Sequence, residues 1–257
     1  MLRVLHLTDT HVVATEDPAT FSGAVAGIQG RTTTELLRTV LDAVAAEGFA
    51  PDLVLHTGDA SDDGDAASYA VLRRELDAMA APVAVVPGNH DHADLLAQAF
   101  GHEPVDVRAI DLGPWQVVAV DCAEFDRGNG ELDADALAAL AAALDAASGY
   151  VIIGLHHPPI SACTDPYCQL LPADEVLALI DRHPKVRAVV SGHLHLAEDI
   201  DRHGVAFLLS PSTCMQLRHE HPLQLNNRAP TPVGARLLEL HDDGRVVSRL
   251  LWAKLVT

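Results

Sequence analysis

The chain has 257 residues, 49% hydrophobic and 21% charged, the composition of an ordered globular protein and not of a disordered one. Its 36 acidic and 17 basic side chains leave a net charge of −19, a surface that repels a nucleic-acid backbone and argues against a large nucleic acid as partner. Four cysteines (Cys122, Cys163, Cys168 and Cys214) do not make a disulfide framework, and neither a signal peptide nor a bilayer-length apolar stretch is visible, so a cytoplasmic protein with reduced thiols is expected.

Apolar runs of strand length alternate with amphipathic helices for most of the chain. The first strand, Leu2–Thr8, runs into Asp9-Thr10-His11. A helix follows, opened by the capping box Thr32-x-x-Glu35 and carrying Leu37, Val40, Leu41 and Val44 on one face. The strand Leu53–Thr57 ends in Gly58-Asp59, and the acidic run Asp62-Asp63-Gly64-Asp65 behind it reads as a solvated loop and helix cap. A helix with Tyr69, Leu72, Leu76 and Met79 in line leads to the strand Val83–Val86, which ends in Gly88-Asn89-His90-Asp91. Next come a short helix at Ala93–Phe100, a strand at Gln116–Val120 and an Ala-rich helix with Leu137, Leu140 and Leu144 aligned. The strand Tyr150–Leu155 ends in His156-His157, a helix lies near Asp174–His183, and the strand Arg187–Ser191 ends in Gly192-His193-Leu194-His195.

After His195 the pattern turns all-β, with runs at Val205–Ser210, Ala235–Leu240 and Arg245–Trp252 and a hairpin turn at Asp243-Gly244. Between them Arg218–Pro232 reads as a long loop, whose Arg218, His219 and His221 could reach a phosphate or nucleobase. The alternation predicts one mixed α/β domain over residues 1–257, two packed sheets with helices outside, and 205–257 as part of it.

Five motifs sit at strand ends, and ligands gather in the crevice outside the carboxyl ends of strands in open α/β sheets. Asp9 and His11 are two apart, as are His193 and His195, so an extended backbone would turn both members of each pair to one side. Gly58, Gly88 and Gly192 precede candidate ligands, where a missing side chain allows tight approach. Carboxylate, imidazole and amide oxygen without thiolate suit iron, manganese or zinc. The seven candidate metal ligands are Asp9, His11, Asp59, Asn89, His156, His193 and His195, enough for two ions. Two cations roughly 3.5–4 Å apart lower the pKa of a shared water toward neutrality and offset charge building on a phosphoryl group. His90 is not needed as a ligand and is the candidate catalytic residue facing substrate, with Asp91 orienting it from behind.

The five blocks D-x-H, G-D, G-N-H-D, H and G-H-x-H, spanning Asp9 to His195, resemble the calcineurin-like metallophosphoesterase superfamily. The HHPP run at His156–Pro159 and the GNHDHADL run resemble its bacterial class III cyclic nucleotide phosphodiesterases. The resemblance implies a four-layer sandwich of two mixed β-sheets flanked by helices. It also implies one metal on Asp9, His11 and His195, a second on Asn89, His156 and His193, and Asp59 bridging them. The implied activity is two-metal hydrolysis of small phosphodiesters, with 3′,5′-cyclic AMP the best single choice. The alternatives are 2′,3′-cyclic nucleotides, glycerophosphodiesters, and phosphomonoester or pyrophosphate hydrolysis on the same fold. A non-catalytic protein-binding scaffold is the reading outside enzymes, and the complete ligand set counts against it.

Most of the 15 histidines need an ordinary explanation. His6 and His56 lie inside strands and are expected to be hydrogen-bonded core residues. His157 should fix a loop, and His92 and His102 should lie on the surface, with His92 near enough to the metal motif to touch substrate. Cys163 and Cys168 lack the usual zinc pattern. Edge strands in the β-rich tail could pair two copies as a homodimer.

Overall fold

The structure is a computed structural model that describes residues 1–15, 31–163, 169–217 and 232–253. Its first half runs β1 (Leu2–Leu7), α1 (Thr33–Ala46), β2 (Leu53–Thr57), α2 (Ala66–Asp77), β3 (Val83–Val86), α3 (Ala93–Phe100), β4 (Val107–Leu112) and β5 (Trp115–Val120). Then follow β6 (Gly130–Glu131), α4 (Ala134–Ala146), β7 (Tyr150–Gly154), β8 (Leu170–Leu171), α5 (Ala173–Asp181) and β9 (Val186–Ser191). The last four elements are β10 (Glu198–Arg202), β11 (Val205–Leu209), β12 (Val233–Leu240) and β13 (Val246–Ala253).

These strands form two large mixed sheets. The first has the order β13-β12-β1-β2-β3, the second β10-β11-β9-β7-β5-β4, and β6 pairs with β8 as a small separate ladder. Strands β1, β2 and β3 are parallel, as are β5, β7, β9 and β11, so the carboxyl ends within each set point one way. Three apolar layers hold the stack together. Leu37, Val40 and Leu72 pack α1 and α2 on the outer face of the first sheet. Leu140, Leu144 and Ile180 do the same for α4 and α5 on the second. Between the sheets lie Val4, Leu55, Trp115, Val117, Ile152, Val190 and Leu238. Helix, sheet, sheet, helix is the expected four-layer sandwich.

Local signals account for the element ends. The capping box closes as read: Glu35 N donates to Thr32 Oγ1 at 3.1 Å and Thr32 N donates to Glu35 Oε2 at 2.9 Å. Asp65 caps α2 through Ala67 N, and Asp133 caps α4 through Ala136 N. Two edge strands, β4 and β10, escaped the sequence reading because neither holds a fully buried residue and both interleave charged with apolar side chains, as in Glu198–Arg202. The β-rich tail does not form a layer of its own. Strands β10 and β11 extend the second sheet, while β12 lies antiparallel against β1 and with β13 completes the first.

A buried polar chain bridges the sheets. Arg236 on β12, fully buried, donates to Leu209 O at 2.7 Å, Ser248 Oγ at 2.6 Å, Asp199 Oδ1 at 2.6 Å and Ser210 Oγ at 3.3 Å. Ser210 Oγ also meets His6 Nδ1 at 2.6 Å, and the other nitrogen of that ring meets Thr57 Oγ1 at 2.8 Å. Burial, with the Arg236 charge beside it, holds His6 neutral well below the ordinary histidine pKa. His6 is thus the satisfied core histidine expected. His56 is satisfied on one side only: Nε2 meets Thr10 Oγ1 at 3.1 Å and Nδ1 finds no partner among the described residues.

Replacing Arg236 by Met should lower unfolding free energy by about 2–4 kcal/mol, because Leu209 O loses its donor in a buried place; urea denaturation measures it, and an unchanged midpoint would show the chain to be dispensable. Burial lowers the His56 pKa to about 4. Its folded-state pKa is depressed, so the stability it contributes is present above about pH 6.5 and is lost as pH falls towards 4. Between pH 7.5 and 5 the metal-stripped protein should lose about 2 kcal/mol from this group, a slope that His56→Gln flattens.

Candidate metal centre

The five motifs occupy the carboxyl ends of β1, β2 and β3 in the first sheet and of β7 and β9 in the second, so the site straddles both sheets. The loops after β1 and β2 are zipped by Asp9 N to Gly58 O (2.9 Å), His11 N to Asp59 O (3.0 Å) and Val12 N to Ala60 O (3.1 Å). His193 N donates to the Asp9 carboxylate at 3.1 Å and His90 N to Asp59 Oδ1 at 3.0 Å, which fixes both carboxylates.

The backbone at these ends is not extended, as the i, i+2 spacing suggested. Asp9 (φ 52°), His11 (φ 44°), Asp59 (φ 51°), His193 (φ 69°) and His195 (φ 45°) are all left-handed. Each such residue costs of order 1–3 kcal/mol and persists only where its surroundings over-determine it. The glycines allow the crowding. A Cβ on Gly88 would run into the Asp59 carboxylate and lie 2.8 Å from His156 Cε1, and one on Gly192 would lie 2.6 Å from Asp9 Oδ2.

The seven side chains meet as two clusters that share Asp59. In the first, His11 Nε2 lies 3.1 Å from His195 Nε2 and 3.5 Å from Asp59 Oδ2, and His195 Nε2 lies 3.4 Å from Asp9 Oδ1. In the second, His156 Nε2 lies 3.4 Å from Asp59 Oδ1 and 3.2 Å from Asn89 Oδ1. The His193 ring stands 5.1 Å from that of His156, and its ligand atom falls within 4.8 Å of those of His156 and His157.

The opposite ring nitrogens set the tautomers. His195 Nδ1 donates to Met215 O at 2.9 Å, His156 Nδ1 to Thr57 O at 2.7 Å, and His11 Nδ1 to Asp62 Oδ1 at 3.1 Å. Carbonyl oxygens cannot donate. The Asp62 carboxyl, pushed up by burial but pulled down further by His11, stays ionised below its ordinary pKa. Rings so held turn Nε2, the atom that can ligate a cation, towards one another and towards carboxylate and amide oxygens. Ligand atoms about 3.0–3.4 Å apart are spaced as donors are around one ion with bonds near 2.1 Å. The residues therefore fit two cations.

The electrostatics agree. Burial pushes Asp9 up, but His195 beside it outweighs this and its pKa falls to about 2. Asp59 is likewise held well below the carboxylate range by His156 and His11, against its burial. Burial opposes charge on His156, yet Asp59 and Asp9 raise its pKa to about 9. The pocket draws positive charge into the gap between its carboxylates.

His90 lies at the rim. Its ring stands edge-on to His11 at 4.8 Å, its Nδ1 is 3.2 Å from Asp62 O, and 38% of the side chain is exposed. Burial would lower its pKa, but the Asp59 charge raises it. Asp91 does not stand behind His90 as expected. Its two oxygens accept from Ala60 N (2.9 Å), Ser61 N (3.1 Å) and Gly88 N (2.9 Å), stapling the loops after β2 and β3, and the residue that holds both His11 and His90 is Asp62. The sequence offered no sign of this, since Asp62 stands in an acidic run whose next members are solvent-exposed.

The His157 ring is buried with Nε2 3.2 Å from Gly128 O, a loop-fixing contact as expected, although it also packs on His193 at 4.3 Å. His92 is exposed, while His102 is half-buried with Nε2 3.2 Å from Val83 O. Cys163 is half-buried against Leu194 and Leu209; Cys168 and residues 218–231, with Arg218, His219 and His221, lie outside the described residues. Among the described residues no helix is long and apolar enough to cross a membrane.

Several known proteins are similar to this chain over most of its length. A 3′,5′-cyclic adenosine monophosphate phosphodiesterase from Pseudomonas aeruginosa is 34% identical over 95% of this chain and 87% of its own length. Its Escherichia coli K12 counterpart is 31% identical over 97% and 89%. A 3′,5′-cyclic-nucleotide phosphodiesterase from Nostoc sp. is 32% identical over 97% and 91%. Among solved structures, a dimetal phosphatase from Danio rerio shares the fold with a TM-score of 0.67, at 16% identity and 98% coverage of both chains. The calcineurin-like phosphoesterase family model matches residues 2–197, and the chain belongs to that family.

Proposed function

We propose that this protein hydrolyses 3′,5′-cyclic AMP to 5′-AMP with two metal ions held across Asp59. The observation that carries the reading is the pair of buried imidazole and oxygen clusters sharing that one carboxylate, and the cyclic nucleotide named for the curated relatives supports the substrate. Asp9, His11, His195 and Asp59 would hold one ion, and Asn89, His156, His193 and Asp59 the other, with iron, manganese and zinc all suited to such donors. When bound, the ions acidify water and neutralise phosphoryl oxygens.

The chain's own groups supply the rest. Asp62 O accepts from His90 Nδ1 and sets the ring, and the Asp59 charge that raises the His90 pKa favours its imidazolium form, whose second proton, on Nε2, passes to the departing 3′ oxygen as the cyclic ester opens. Water supplies the oxygen gained by phosphorus. The whole chain acts as one catalytic domain, in the cytoplasm, on a small nucleotide and not a large nucleic acid, in keeping with its net charge of −19. If two copies pair, the edge strand β13, which exposes Val247 and Trp252, is where they would meet.

Metal-stripped protein should be inactive on cyclic AMP and on bis-p-nitrophenyl phosphate, and manganese, iron or zinc should restore both. Asn89→Ala should lower the restored rate at least about 100-fold. Turnover without metal, or cleavage of monoesters alone, would refute the reading. His90→Ala should keep two metals per chain by elemental analysis and lose about 10²–10⁴ in kcat; equal turnover would remove His90 from the reaction.

A further inference from the structure

We infer that Phe125, backed by His92, is the platform on which the nucleobase of the substrate stacks; this rests on the cyclic nucleotide reading above. Phe125 is 43% exposed, one of the few large apolar side chains left in solvent among the described residues. It is not loose. Its ring lies on that of His92 with centroids 3.8 Å apart and planes 23° from parallel, so one face is backed and the other remains for a ligand.

The pair belongs to the rim of the metal centre. Asp126 N, the next residue, donates to the carbonyl of Asn89 at 2.8 Å, tying the loop after β5 to a candidate metal ligand. His92 follows His90 by two positions, and its N–H donates to Tyr69 Oη at 2.9 Å. Gly64, in the loop that carries Asp62, makes room for both rings: a Cβ there would lie 2.9 Å from His92 Cδ2, 3.0 Å from Phe125 Cε2 and 3.4 Å from the His90 carbonyl oxygen. The loops after β2, β3 and β5 thus meet at one spot beside His90.

Charge decides which part of a nucleotide belongs there. Glu124 and Asp126 flank Phe125 and are exposed, and the neighbouring cation, Arg127, is paired with Glu124 at 3.1 Å and Glu131 at 2.6 Å, so the loop disfavours the phosphate and suits a neutral planar ring. With the phosphate at the clusters, the ribose spans His90 and carries the base to the platform. Stacking accepts any base, and the larger purine surface gains more from it.

The test uses full-length, metal-loaded enzyme and steady-state kinetics on cyclic AMP and on glycerophosphoethanolamine, a diester without a base. Phe125→Ala and Phe125→Leu should raise KM for cyclic AMP about tenfold, more than they change kcat, while Phe125→Tyr stays near the parent. The ratio of the KM values for the two substrates should rise by the same factor. An unchanged KM for cyclic AMP in Phe125→Ala, or loss in Phe125→Tyr equal to that in Phe125→Leu, would overturn the platform alone. A parent enzyme that cleaves the base-free diester but not cyclic AMP would overturn both the platform and the substrate assignment.

Discussion

Everything at this site follows from ligand atoms facing one another. Two carboxylates, an amide oxygen and the inward-facing Nε2 atoms of several imidazoles are packed within hydrogen-bond distance of one another. Such an array is unfavourable in a low-dielectric interior unless positive charge occupies its centre. The tendency of His156 to hold a proton when nothing else is there expresses the same demand. Asp59 is central because its two oxygens face different clusters, so one carboxylate couples both positions.

Holding that array in place strains the backbone and requires a stiff scaffold. Five of the seven candidate ligands sit in left-handed conformations that ordinary residues rarely adopt. Their neighbours leave them no alternative. Backbone pairs zip the loops after β1 and β2, Asp91 takes three amides from the loops after β2 and β3, and Ser212 Oγ donates to the Asp9 carbonyl at 2.7 Å. The clusters draw on both sheets, so the distances within them depend on how the sheets are stacked. The apolar layer around Trp115 and Ile152 and the buried chain through Arg236, Ser210 and His6 both keep that stacking fixed.

A ring of supporting acceptors refines the site. Thr57 O, Met215 O and Asp62 each take the Nδ1 proton of a ligand histidine, which decides that Nε2 is the atom presented inward. Asp62 does this for His11 and places His90 as well, so one side chain links a candidate ligand to the candidate proton donor. Substrate choice lies further out, where the walls of the rim and not the metal motifs distinguish one diester from another.

The sequence by itself determined the layered fold, the seven candidate ligands and the position of His90, because each rests on local order. Strands buried on both faces read as continuous apolar runs, capping boxes are contiguous, and every metal motif is a short block closing such a run. It did not determine the edge strands β4 and β10, where pairing with a neighbour outweighs a half-polar pattern. Nor could it show that the tail divides between two sheets, since the pairing of β12 with β1 joins opposite ends of the chain. The roles of Asp62 and Asp91 were likewise decided only by tertiary structure: which partner a carboxylate takes depends on which loops meet around it. Phe125 and His92 lie 33 positions apart, and they become one surface only when the loops after β3 and β5 are brought side by side.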